Sequence, residues 1–390
     1  MNKYCILGSG RQGTAAAYDI AKFGSASKII MADVDVEVAK AASNRVNNLC
    51  GSLICEFTKI DVSDSNGLKN LFKDCDLVIS CVPYFFNLEI LEIAISTKTH
   101  MVDLGGHTGI TRKQLSMHSK AKSAGVVAVP DCGMGPGMNI TMSLLALEKV
   151  ENGRHVYIWD GGLPQRPVEP WNYALFFNIN GLTNEYDGSA YFIDCGKVRE
   201  FECFSDYELI DFEGVGTLEA AVTSGGLSTM PWTYEDRLST LRNKTLRYKG
   251  HWEQMKGFRN LGLFRTDTVK FGNKEIVPRE FYHHLLEQQL IDNSTTDVCM
   301  MRVDAFNEDK SKGVRVEAVE RFDQSTGFSA MEKWTGWHAS IMAIHIINKK
   351  IDPGVVSVEN ALHGSDFFEE SKKRNYNISI NNLVRNKEEG

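Results

Sequence analysis

The chain has 390 residues, with 43 lysines and arginines against 50 aspartates and glutamates, a formal charge of −7. At about 150 residues per domain this length predicts two to three domains, and the acidic balance argues against nucleic acid as a partner. No window approaches ~18 uninterrupted apolar residues, so no transmembrane helix and no membrane partner is expected. Met1-Asn2-Lys3 runs straight into a strand-like apolar segment, which leaves no room for a signal or transit peptide. The cysteines number 9, an odd count without a CxxC pair. That usage predicts free thiols in a reducing, cytoplasmic setting, with no disulfide and no structural metal.

Short apolar runs then alternate with helical stretches. Residues 4–8 read as a strand and 14–23 as a helix, with Gly24 as its stop. Strand 28–33 precedes helix 37–49, strand 53–61 precedes helix 67–75, and strand 76–82 precedes helix 87–98. Segments 100–106 and 125–131 continue the series as strands. Strands alternating with helices require right-handed crossovers and a parallel sheet, so the fold class is α/β, doubly wound (Rossmann). Past about residue 150 the pattern changes to aromatic and β-branched segments without intervening helices, which predicts a mostly antiparallel sheet. Residues 332–349 form a long amphipathic helix, 364–374 a short one, and the polar tail from about 376 is expected to be ordered only by contacts. The expected architecture is a dinucleotide domain of 1–131 plus 334–375, interrupted by an α+β substrate and dimerisation domain of 132–333.

The first strand and helix are joined by Gly8-Ser9-Gly10-Arg11-Gln12-Gly13. Glycines there permit the tight turn and close approach of backbone to a pyrophosphate, and the helix N-terminus supplies free N–H groups. Asp33 ends the second strand 20 residues beyond Gly13, where an acid accepts hydrogen bonds from the adenosine ribose. A carboxylate there repels a 2′-phosphate, so NAD is the expected cofactor. The other reading has Asp33 cap the turn and Asp35 serve as the ligand. Asp61-Val62 and Cys81-Val82-Pro83 end the third and fourth strands, beside the adenine and the nicotinamide ribose in such folds.

The segments VDLGGHTG (102–109) and PDCGMGPGMNI (130–140) end the next strands, and the second opens a helix at Pro136-Gly137. Asp131, Gly137, Met138 and Asn139 are therefore candidates for holding a substrate carboxylate at that helix N-terminus. KTLRYKGHWEQM (244–255) gathers Lys244, Arg247, Tyr248 and His251. On a strand, Arg247 and His251 share a face; an arginine fork suits a carboxylate and a histidine suits proton transfer. The surface reading, solvated cations on an outer strand, stands beside it. His283-His284 reads as a helix-surface pair rather than a metal site, and His338 and His345 as core or interface residues.

GSGRQG with Asp33, DLVISCVPYFFN, VDLGGHTG, PDCGMGPGMN, WDGGLP and TLRYKGH occur in the order seen in the saccharopine dehydrogenase-like family, which the chain resembles. The DLGG and PDCGxxPGM elements look most like the lysine 6-dehydrogenase branch, which oxidises the lysine side-chain amine with NAD. Glutamate-forming saccharopine reductases carry an Asp just before the Pro-Gly of the helix-opening loop, where this chain has Gly135. They also carry a Cys before GGLP, where this chain has Asp160. The resemblance implies an amino-acid substrate, with Asp160 or His251 as the base that takes a proton from the ammonium and Arg247 on the substrate carboxylate. It also implies a homodimer or larger assembly, with the sheet of 223–330 as the contact surface.

Overall fold

A computed structural model describes residues 2–292 and 294–384. A seven-stranded, all-parallel sheet contains β1 (Asn2–Leu7), β2 (Ala26–Asp33), β3 (Cys55–Lys59), β4 (Leu77–Ser80), β5 (His100–Asp103) and β6 (Val127–Val129). Its order is β3-β2-β1-β4-β5-β6, closed by the short strand Gly354–Val355 beside β6. The strand order reverses between β1 and β4, which opens a crevice at their carboxyl ends.

From Tyr4 on, β1 is continuously apolar because helices cover both faces: Tyr4, Cys5, Ile6 and Leu7 are all fully buried. Each such side chain contributes roughly 1.5–3 kcal/mol. The helix Arg11–Phe23 turns Ala15, Ala16, Ala17 and Ile20 inward, and Gly24 ends it. A long helical stretch, Ala330–Ile347, crosses back onto this domain with a π turn at Lys333–Trp337. A Cβ on Gly336 would stand 2.7 Å from the Gln12 carbonyl oxygen, so the two helices meet backbone to backbone. His338, two residues on, is fully buried against Cys132, Thr141 and Phe367. Its Nδ1 is 2.9 Å from the Cys132 carbonyl, and burial lowers its pKa to about 4. A second tie is buried: the Arg374 guanidinium grips the Asp19 carboxylate at 2.7–3.0 Å.

The second sheet is mostly antiparallel, as expected, with one parallel pairing inside it. Its long strand Gly153–Pro164 runs parallel to Thr240–Arg247 and antiparallel to Asp297–Asn307, so the sheet is mixed. Lys312–Arg321 follows Asp297–Asn307, and the polar tail is itself a strand, Ile378–Val384, paired with Lys312–Arg321. Its alternate Ile378 and Ile380 pack on the core, a short period-2 signal that the surrounding polar residues obscure. The helix Met138–Lys149 covers one face of this sheet. An aromatic cluster around Tyr186, Trp252 and Tyr282 packs against the opposite one. Residues 297–306 are buried without interruption. The dimer surface expected over 223–330 therefore has no free face at its central strands.

Candidate active site

At the end of β1 the chain turns through Gly8 at φ +91°, and a Cβ there would lie 2.9 Å from the Cys81 carbonyl. The loop thus passes against Cys81-Val82 at the end of β4, and only glycine fits. A Cβ on Gly13 would strike the Gly8 carbonyl at 2.0 Å, whereas one on Gly10 would meet nothing within 4 Å. Gly10 marks the open side, where the helix N-terminus has no side-chain cap and its N–H groups remain for an anion. The Gln12 Oε1 is buried nearby without a hydrogen-bond partner.

Asp33 accepts the Ser9 N–H at 2.8 Å and the Asp35 N–H at 3.0 Å, fixing the glycine loop to the end of β2. Asp35 instead caps the following helix by accepting the Glu37 N–H at 2.9 Å. Asp33 is the acid that stands at the loop. Arg11 donates from Nε to Glu332 at 2.7 Å, which ties the loop to the returning helix. Asp61 is exposed, and hydrogen bonds from the Ser63 main chain and hydroxyl lower its pKa. It lies past β3, two strands from the glycine loop, with Val62 against the neighbouring core and Pro83 exposed.

The second cluster lies at the mouth of the other sheet. Parallel pairing sets Asp160 opposite Thr245. The alternation of a strand therefore brings Asn243, Thr245 and Arg247 to the face that Asp160 shares. Asp160 is 6% exposed, and Asn139 donates to it at 3.1 Å while also donating to the Gly226 carbonyl at 2.8 Å. Burial raises the Asp160 pKa to about 6, against the Asn139 hydrogen bond, the Arg247 charge and the Asn243 side chain. Asn139 in turn accepts the Gly137 N–H at 3.1 Å and the Ile140 N–H at 2.9 Å, which fixes its amide. Met138 is fully buried behind it.

Gly135 touches this cluster through space. A Cβ there would lie 3.0 Å from the Asp160 Oδ2. The two positions at which the chain departs from the glutamate-forming pattern are thus neighbours, and the Asp160 carboxylate reaches the space beside residue 135.

Arg247 is 2% exposed. Its Nε donates to the Tyr186 hydroxyl at 2.7 Å and its Nη2 to Glu185 at 3.2 Å. The Tyr186 hydroxyl also lies 2.9 Å from the His251 Nε2. An arginine only donates, so the tyrosine proton goes to His251, whose Nε2 is the acceptor of a neutral ring. Burial and the Arg247 charge hold that ring's pKa well below the usual range. His251 does not lie on a strand face with Arg247: the strand ends at Arg247 and His251 opens the helix His251–Asn260. The two meet through Tyr186, and the geometry makes His251 a support for Arg247.

Lys244 is not brought to this site. It faces the opposite side of the strand, where it pairs with Glu208 at 2.7 Å and Asp206 at 3.0 Å. Tyr248 donates to the Pro164 carbonyl at 2.9 Å and packs on the aromatic core. Asp131, at φ +62°, is buried beneath the crevice and accepts from Thr111 at 2.8 Å and from Ser228. Its burial raises its pKa, and its charge helps to raise neighbouring Asp103 to about 7. Asp131 therefore fastens the loop of 223–229 to the first domain.

Glu185, Tyr186 and Asn243 are the site residues that the sequence did not single out. Burial raises Glu185 to about 7, while Arg247 opposes the shift and Asp160 adds to it. Glu185 and Tyr186 end the helix Ile179–Tyr186, whose sequence carries no motif. Among the described residues no group of three or more His, Cys, Asp or Glu is arranged for a metal, and His283 instead lies 2.7 Å from Thr183.

A parallel doubly wound sheet with a glycine loop after its first strand and an acid at the end of its second, joined to a second sheet that carries buried carboxyls and a buried arginine, has the build of a two-domain pyridine-nucleotide-binding protein. Residues 4–129 match the saccharopine dehydrogenase NADP binding domain and 133–375 the saccharopine dehydrogenase C-terminal domain. The chain belongs to the saccharopine dehydrogenase family, and its first domain is a pyridine-nucleotide-binding domain. It is 23% identical over 281 residues to saccharopine dehydrogenase [NADP(+), L-glutamate-forming] of Saccharomyces cerevisiae, covering 68% of this chain and 60% of that one. It is 22% identical over 261 residues to the mitochondrial alpha-aminoadipic semialdehyde synthase of Rattus norvegicus, covering 60% of this chain and 26% of that one. The fold matches apo saccharopine dehydrogenase (L-Glu forming) from Saccharomyces cerevisiae with a TM-score of 0.78 at 16% identity, over 98% of this chain and 100% of that one.

Proposed function

We propose that the protein is an NAD-dependent oxidoreductase acting on a C–N bond of an amino acid, with the side-chain amine of L-lysine as its preferred substrate. The observation that carries this reading is the buried Asp160 carboxyl, raised to about 6 and set between Asn139 and the Arg247 charge. Near neutral pH such a group is ionised yet still basic enough to take a proton from a substrate ammonium. Only the neutral amine has a lone pair to support loss of hydride from the adjacent carbon. A bound nicotinamide supplies the hydride acceptor. Gly8, Gly10, Gly13 and the helix N-terminus hold its pyrophosphate, and Asp33 takes the ribose hydroxyls and disfavours a 2′-phosphate. Arg247 has two N–H groups beyond those used on Tyr186, Glu185 and the Leu246 carbonyl, and in this reading they are the donors to the substrate carboxylate. In the cell the enzyme works in the cytoplasm as a homodimer or larger assembly.

A second reading, cleavage or formation of a secondary amine of the saccharopine type, is favoured by the Asp160 Oδ2 lying 3.0 Å from where a Cβ on residue 135 would stand. One carboxylate then serves from the opposite wall. The test is absorbance at 340 nm with NAD or NADP and L-lysine, L-ornithine or saccharopine. Growth with L-lysine and NAD supports the first reading. Growth with saccharopine alone transfers the assignment to the second, and silence with all three refutes both.

A further inference from the structure

Glu332 stands far from the glycine loop in sequence and against it in space. It sits in the first turn of the returning helix, where the Ser329 Oγ accepts its N–H at 3.0 Å and its own Oε2 accepts the Ser329 N–H at 2.8 Å. This reciprocal cap holds the carboxylate in one orientation. Asp297 takes the Ala330 and Met331 N–H groups at 2.8 Å each, so that helix end makes no further demand on Glu332. The Glu332 Oε1 is left for the Arg11 Nε at 2.7 Å. The two partners differ in burial: the Glu332 side chain is 5% exposed and that of Arg11 49%. The buried, capped acid is the fixed member of the pair, and the arginine is what it holds.

Arg11 is the first residue of the helix that follows the glycine loop. A guanidinium carries five N–H donors, and among the described residues only the one on Nε has a partner. The donors on Nη1 and Nη2 remain, and such an edge can take phosphate oxygens in a bidentate grip. They belong to the same helix end whose main-chain N–H groups lack a side-chain cap and where Gly10 is open. A long side chain loses rotamer freedom when it grips a ligand, and an arginine already held by Nε has lost part of it beforehand.

We propose that Glu332 is a positioning residue for the nucleotide: it holds Arg11 by Nε so that Nη1 and Nη2 take oxygens of the cofactor pyrophosphate. The pyrophosphate site then draws on two segments 321 positions apart, one before and one after the second sheet's long central strands. The proposal rests on the nucleotide-binding domain and not on the choice of amino-acid substrate.

The test is isothermal titration of the full chain with ADP-ribose, which carries the pyrophosphate but no nicotinamide, so no turnover enters. Arg11→Ala should weaken ADP-ribose about tenfold or more, as for loss of a charge-assisted hydrogen bond. Glu332→Ala should weaken it by a smaller factor, about threefold, because the charge stays and only its placement is lost. The variant that lacks both side chains should bind as Arg11→Ala does. The parent's affinity should also fall more steeply with added NaCl than that of Arg11→Ala, which has one charge fewer at the phosphates. Parental affinity in either single variant overturns the proposal. A double variant that recovers binding overturns it as well, because Arg11 then serves only to neutralise a buried acid. So does a double variant weaker than Arg11→Ala, because Glu332 then shapes the site by another route. Absence of saturable ADP-ribose binding by the parent removes the nucleotide site itself, and the proposal with it.

Discussion

Replacing Asp160 by Asn separates the catalytic demand on this carboxyl from its structural cost. The side chain keeps its shape and its contact with Asn139, so the change removes only the charge and the basicity. In the unfolded chain the group titrates near 3.8, and in the fold near 6. The folded state therefore holds the extra proton between those values, and the ionised carboxylate is disfavoured by about 3 kcal/mol at 1.36 kcal/mol per unit. The sign follows from linkage: stability falls as pH rises from about 4 to about 6, and the full cost persists above that. At pH 7.5 the Asn variant should thus be more stable than the parent by up to ~3 kcal/mol. At about 2 cal/mol/K per residue this chain gains ~4 °C in Tm, and the gap should close as pH approaches 4. Turnover should move the other way, falling roughly 10²–10⁴-fold for loss of a general base, with the acid limb of kcat/KM near pH 6 disappearing. Scanning calorimetry at pH 4 and 7.5, together with a pH–rate profile, measures both. A variant that retains turnover and the acid limb would refute the role given to Asp160. A variant with an unchanged Tm at pH 7.5 would show that the carboxylate is solvated rather than held in a dry pocket.

Asp33→Ala should raise the KM for NAD about tenfold, since a charge-assisted hydrogen bond is worth about 1.5–3 kcal/mol. NADP should suffer less, and equal losses with both cofactors would leave Asp33 as an anchor for Ser9 only. Glu185→Gln removes the internal counterion of Arg247 and should lower the KM for the amino acid; a raised KM would mean that Glu185 itself holds the substrate ammonium. Because burial raises Glu185 to about 7, the parent's amino-acid KM should rise with pH through neutrality, and the Gln variant should lose that slope. Asp19→Ala takes from the buried Arg374 one of its two carboxylate partners, leaving Glu370 at 2.9 Å, and should cost about 1.5–3 kcal/mol in urea unfolding. A loss below 1 kcal/mol would mean that water enters beside Arg374.

The first domain was legible because its signals are local. Alternation of apolar runs and helices, a glycine loop after β1 and an acid after β2 each follow from backbone geometry within about thirty residues. The second domain hid its site because the contacts that matter join distant segments. Glu185 and Tyr186 acquire meaning only through Arg247, 62 and 61 residues away, and nothing in INGLTNEY announces that contact. Arg247 and His251 were found by composition, but the shared face was misassigned because Gly250, at φ +91°, turns the chain from strand into helix between them. Lys244 was misplaced for a simpler reason. Three positions from Arg247 on a strand puts a side chain on the opposite face.

The seating of Gly336 on the helix that follows the glycine loop bears on the order in which the chain is made. The two segments are separated by 323 positions, from Gly13 to Gly336. At about 5–20 residues per second a ribosome needs roughly 15–65 s to span that interval. During that time the alanine-rich flank of the first helix has no partner, and the returning helix that covers it does not yet exist. The inserted domain has its own strands from Gly153 to Arg321 and can assemble first. The first domain, though first in sequence, therefore stays incomplete until the returning helix is made, and the second sheet receives its last strand, Ile378–Val384, only after that.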